Sequence, residues 1–76
     1  MNHILTTQEV AKLIDRSLVT VYRYIKRGLL KPIVIEVGKS RVLQFTLDTI
    51  VEFYKGQRSR AELERDLLAI RDQENL

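Results

Sequence analysis

Tyr22, Arg23, Lys26 and Arg27 lie within one short stretch, SLVTVYRYIKRGLLKP, and Lys39 and Arg41 follow around a glycine in VGKSRV. These are the side chains of this sequence best suited to binding chemistry, and the chemistry is that of phosphate. A guanidinium is a planar fork of donors that clamps a phosphate or a base edge, an ammonium acts as a point charge, and a phenol can donate its hydroxyl. The charge around them is local. Between Arg16 and Arg41 seven basic residues stand against the single acid Glu36, a net charge of +6 within a chain of formal charge +3. From Arg58 onward four arginines face five acids. A localised basic field is the footprint of a surface that meets phosphates. Basic windows also occur as plain solvated faces, so the elements that carry these residues must decide.

Other chemistries are poorly supplied. The chain has no cysteine, hence no disulfide framework and no thiolate zinc site. Its one histidine, His3, falls in an arm expected to fray, which argues against a metal or catalytic role. Glu9, Asp48 and Glu52 are accounted for by helix starts or solvated faces. No phosphate-cradling glycine loop and no base beside a nucleophile can be found, so neither an enzyme nor a cofactor is expected. No apolar run approaches the ~18 residues of a membrane span, and the first residues lack the pattern of a secretory signal. The 76 residues suit one small, soluble, intracellular domain.

The local signals order the chain into short elements. Leu5-Thr6-Thr7-Gln8-Glu9-Val10 combines a threonine cap, a glutamate three residues on and a flanking apolar pair, so a helix is expected from Thr7 to Ile14, burying Val10, Leu13 and Ile14 behind a small Ala11. Ser17 should cap a second helix reaching Arg27. Advancing about 100° per residue from Val21 turns Leu18, Tyr24, Ile25 and Gly28 inward, and turns Val19, Thr20, Tyr22, Arg23, Lys26 and Arg27 sideways or outward. Gly28 suits a left-handed cap, after which Leu29 and Leu30 should fold back on the core and Pro32 prevents further helix. Ile33–Val37 and Arg41–Phe45 are β-branched or apolar runs around Gly38-Lys39-Ser40, a hairpin with cations at its tip. Thr46 caps a third helix, with Phe45 and Ile50 as its staple, from which Ile50, Val51, Phe53 and Tyr54 should close the core. After a break at Lys55-Gly56-Gln57, Ser59-Arg60-Ala61-Glu62 opens a charged helix in which Leu63, Leu67 and Ile70 lie one above another.

Two short helices joined by a tight turn, the second basic on its outer face and followed by a hairpin, have the form of a helix-turn-helix with a wing. From about Leu5 to Lys55 the chain resembles the winged helix-turn-helix domain shared by MerR-type regulators and the small excisionase-type proteins of mobile elements. The motifs are LTTQEVAKLI, SLVTVYRYIKRGLLKP, VGKSRVLQF and TLDTIVEFY. The resemblance implies a mainly α fold with a small β-hairpin wing over residues 1–57, and a C-terminal helix in 58–76. It further implies double-stranded DNA as partner, a second helix in the major groove, a wing on flanking backbone or minor groove, and self-association as a dimer or tandem array. Thr20, Tyr22 and Arg23 match the groove-facing part of such a helix, and Lys39 and Arg41 match the wing. With Ser17, Lys26, Arg27 and Ser40 they make up the expected DNA-binding surface. The second wing strand departs from the family, reading Val42-Leu43-Gln44 where arginine is frequent. A prokaryotic or mobile-element protein acting in the cytoplasm on the nucleoid is the corresponding expectation.

The last helix leaves its role open. Leu63, Leu67 and Ile70 have coiled-coil spacing for only about two heptads. They can pack on their own domain or form a dimer or partner contact. If the contact is with another protein rather than a second copy, the chain would be an antitoxin or partition adaptor, its N-terminal domain on DNA and the segment from Arg58 to Leu76 on that partner.

Overall fold

The computed structural model describes residues 3–74, so the ends of the two expected ranges, residues 1–2 and 75–76, lie outside the described residues. The order is β1 (Ile4–Thr6), α1 (Thr7–Leu13), α2 (Leu18–Lys26), β2 (Ile33–Val37), β3 (Ser40–Thr46), α3 (Leu47–Tyr54) and α4 (Arg60–Glu74). The fold is mainly α with a small antiparallel sheet in the order β1-β3-β2.

Each helix begins where its cap predicts. Thr6 Oγ1 accepts from Glu9 N–H at 3.1 Å while Glu9 Oε1 accepts from Thr6 N–H at 2.9 Å, a complete capping box. Ser17 accepts from Thr20 N–H, Thr46 from Thr49 N–H and Ser59 from Glu62 N–H. Two helices stop in the same way. Gly28 has φ +77°, its N–H reaches Ile25 C=O, and Leu29 N–H reaches Tyr24 C=O, which satisfies the last carbonyls of α2. Asp15 does for α1 what Gly28 does for α2, at φ 55° and with Arg16 N–H on Ala11 C=O, although it carries a side chain.

The core forms between the helices and one face of the sheet. Leu5, Val10, Leu13, Ile14, Val21, Leu30, Phe45, Leu47 and Ile50 are buried there, and Leu63 and Leu67 join them at 0% exposure. Of the two roles left open for the final helix, packing on its own domain is the one these two residues take. They fill the space between α1 and α3, with Ile70 half-buried against the same core, and no surface of Leu63 or Leu67 is left for another protein. Arg58 fixes the approach of α4. Its guanidinium stacks over the Tyr54 ring at 5.1 Å, donates to Tyr54 Oη and Leu13 C=O, and pairs with Asp66.

Three expectations are corrected. His3 does not fray: its carbonyl accepts from Leu47 N–H at 3.0 Å, its ring lies 3.4 Å from Glu64, and the next residues pair with β3, Leu5 opposite Phe45. Leu18 and Gly28 are exposed rather than inward, because α2 packs on α1 along a narrow stripe in which Val21 alone is fully buried and Tyr24 and Ile25 half-buried. Of the two leucines after the left-handed cap only Leu30 turns into the core; Leu29 stays exposed.

Candidate nucleic-acid interface

α2 presents Val19, Tyr22, Arg23, Lys26 and Arg27 to solvent, with Thr20 half-buried at its first turn. Spacings of three and four place Val19, Tyr22, Arg23 and Lys26 along one stripe. The helix has no acid in its first turn, so the positive end of its dipole is not neutralised there. Ser17 and Thr20 are engaged with each other: Ser17 Oγ donates to Thr20 Oγ1 at 3.1 Å and accepts from Thr20 N–H at 3.2 Å. Their first role is to start the helix.

The hairpin turns through Gly38 and Lys39 between Val37 and Ser40, which are paired. Gly38 has φ +62° and Lys39 lies outside the left-handed region, the pattern of a tight turn with glycine at its first central position. Lys39, Ser40 and Arg41 are all exposed there. Arg41 Nε lies 3.9 Å from Glu36 Oε1 on the neighbouring strand, a solvated pair of little strength.

The cations of the molecule fall into two groups. All four arginines after residue 57 have acid partners: Arg58 and Arg65 pair with Asp66, Arg60 with Asp48, and Arg71 with Glu9. Lys12 pairs with Glu74 and Arg41 weakly with Glu36, whereas Arg16, Arg23, Lys26, Arg27, Lys31, Lys39 and Lys55 have no ion-pair partner among the described residues. The field of the second helix and hairpin tip is therefore not cancelled locally.

Sequence reasoning missed the ion pair that closes the other side of the domain. Arg71 Nε donates to Glu9 Oε2 at 2.7 Å, and its Nη2 donates to Ile4 C=O at 2.6 Å. Arg71 holds the Glu9 carboxyl below the ordinary glutamate range, against the burial that pushes it up; Thr6 adds to the lowering. No spacing in the sequence marks this pair, since each residue has an adequate local explanation.

Among the described residues no group of three His, Cys, Asp or Glu side chains is placed to hold a metal, and no helix is long and apolar enough to cross a membrane. An open groove of 530 Å³ runs between the end of α2 and α3, lined among others by Leu29, Lys31, Glu52 and Phe53.

A model of the helix-turn-helix domain, a family that includes excisionase-like DNA-binding domains, matches residues 4–58. No curated protein and no solved structure gives a match to the chain. The matched span runs from β1 through Arg58, and so contains both the exposed stripe of α2 and the hairpin tip.

Proposed function

We propose that this chain, which belongs to the helix-turn-helix domain family, is a sequence-specific binder of double-stranded DNA, acting as an excisionase-like protein or small transcriptional regulator. The family points to DNA binding and is typically non-enzymatic. The observation that carries the finer reading is the division of cations: Arg23 and Lys26 of α2, Arg27 at its end and Lys39 at the hairpin tip have no ion-pair partner among the described residues and Arg41 only a weak solvated one, where the arginines of the last helix are all paired.

On this reading α2 enters the major groove. Arg23 presents its fork to a guanine edge, Lys26 and Arg27 sit on phosphates, and the Tyr22 hydroxyl donates to the backbone. Thr20, its hydroxyl held by Ser17, meets a thymine methyl or a phosphate through what remains exposed. The wing follows the flanking backbone or minor groove through Lys39, Ser40 and Arg41. Its strand Val42-Leu43-Gln44 contributes no cation, so the wing contact is confined to the tip. The adaptor alternative has less behind it, because a tail that folds on a partner must first be free, and α4 has its two inward leucines in the core.

The test is to expose the purified protein to fragmented DNA of its own source and sequence what is retained. One or a few enriched loci are expected. Uniform or absent retention would end the sequence-specific reading.

A further inference from the structure

The two edges of the sheet are treated differently by the chain. In β1 the pairing of Leu5 with Phe45, and the bond from Leu47 N–H to His3 C=O, turn the polar groups of Ile4 and Thr6 away from β3. One outward group of each is then taken by a side chain: Arg71 donates to Ile4 C=O and Glu9 accepts from Thr6 N–H. That edge is closed.

The β2 edge is open. The two-residue turn makes Val37 and Ser40 a pair that exchanges both hydrogen bonds, so Ile33, Ile35 and Val37 direct their backbone at β3, and Val34 and Glu36 direct theirs outward. The outward N–H and C=O groups of Val34 and Glu36 meet no partner among the described residues. The strand reads Ile-Val-Ile-Glu-Val, with no proline or lysine to blunt it. Its side chains away from the core continue onto β1 and β3, where Ile4, Ile33, Val37 and Val42 are 45 to 60% exposed. The apolar face thus ends at an unpaired backbone.

We propose that a second copy of this chain pairs with β2 across a twofold axis, antiparallel, with Ile35 opposite Ile35, making one six-stranded sheet. This register is the one the open groups select. Val34 of one copy and Glu36 of the other exchange N–H···O=C bonds, twice over by symmetry, while the two Ile35 side chains meet as a close non-hydrogen-bonded pair. Ile33 of each copy then stands beside Val37 of the other, joining the two exposed apolar faces. Continuing the register brings Lys31 of one copy level with Lys39 of the other at each end of the seam, cations that repel until a polyanion lies across them. A five-residue edge also buries well under the roughly 1,200 Å² of a stable interface. The pairing is therefore weak in the free protein and completed on DNA, a feature that rests on the DNA-binding reading above.

The absence of native cysteine makes the register testable. Ile35→Cys and Val37→Cys chains would be oxidised with copper-phenanthroline, with and without a mixed-sequence duplex, and run on non-reducing gels. The Ile35→Cys chain should form a dimer that the duplex enhances, and the Val37→Cys chain should not. Mixing Ile33→Cys with Val37→Cys chains should restore a crosslink. Adding Val34→Pro removes a donor that points across the seam and none that points to β3, so the Ile35→Cys dimer should vanish while the circular-dichroism melt is kept. Equal crosslinking at all positions, or none while the duplex is bound, would overturn the pairing. Crosslinking at position 35 without any retention of DNA would sustain the pairing and sink the DNA reading. Should the cysteine chains fail to fold, sedimentation of the unaltered protein on the duplex decides, two chains falling to one with Val34→Pro; an unchanged ratio refutes the proposal.

Discussion

The Arg71 guanidinium closes on the Glu9 carboxylate across 62 residues of sequence, and the oxygen of Glu9 that it holds less closely is the one completing the α1 capping box. One carboxylate thus starts the first helix and fastens the last. Removing the cation leaves a mostly buried charge with only Thr6 to hold it. Arg71→Ala should cost about 1–2 kcal/mol, allowing for the partial exposure of the arginine. The urea midpoint should fall with an unchanged slope, and an unaltered midpoint would show the pair to be idle.

Acid should release the same contact. The Glu9 carboxyl is held below its ordinary value of 4.5, chiefly by Arg71, so the unfolded chain takes up the proton first as pH falls. Its contribution is complete above that ordinary value and is lost as pH drops through the lower folded one. Denaturation midpoints measured from about pH 6 to about pH 3 should decline less steeply for Glu9→Gln than for the unaltered chain. Parallel declines would place the acid sensitivity elsewhere.

On DNA, the helix and the wing tip should fail in different ways. Arg23→Ala should cost about 1–3 kcal/mol and relax specificity at one position if its fork reads a base. Lys39→Ala should weaken all sequences alike and lower the salt slope by about one unit. Titrations on matched and mismatched duplexes at several salt concentrations separate the two, and an unchanged slope would remove Lys39 from the interface.

Two of the left-handed helix ends, at Gly28 and Asp15, offer opposite substitutions. A Cβ at Gly28 would meet nothing within 4 Å, so Gly28→Ala should destabilise by about 1 kcal/mol through backbone conformation alone. Asp15 already occupies that region, at φ 55°. Asp15→Gly should stabilise by about 0.5 kcal/mol, net of glycine's greater freedom in the unfolded chain. Thermal melts of the two variants should move in opposite directions.

Leu67→Ala should cost about 2–5 kcal/mol, as for any large-to-small change at a fully buried site. The mass in solution and the number of chains per duplex should stay as they were. A change in either would return the α4 seam to an intermolecular role.

What could be read from the sequence was decided within a few residues. Thr6 with Glu9, Ser17, Thr46 and Ser59 start helices through side chains that reach only three positions on, and Gly28 and Gly38 mark backbone that other residues resist. The basic stripe of α2 followed from helical periodicity. The strand β1 was not visible, because three residues become a strand only when Phe45, forty positions later, lies opposite Leu5. Leu29 and Leu30 are indistinguishable by type, and the turn after Gly28 selects the second. The leucine seam of α4 has the same spacing whether its groove is supplied by α1 and α3 or by another chain. The division of cations into paired and unpaired was equally invisible, since it depends on which acids the fold brings near.

The joining of β1 and α4 to the helix-turn-helix core also has a kinetic meaning. The contacts that hold Leu5 against Phe45 and Arg71 against Glu9 and Ile4 span most of the chain, so they close large loops and belong late in folding, after the hairpin and the short helices have formed locally. On a ribosome, α1 emerges early with a capping box whose acid still faces water, and α4, which buries Leu63 and Leu67, emerges after everything it must cover. The nascent domain is thus exposed along its future core until α4 clears the exit tunnel.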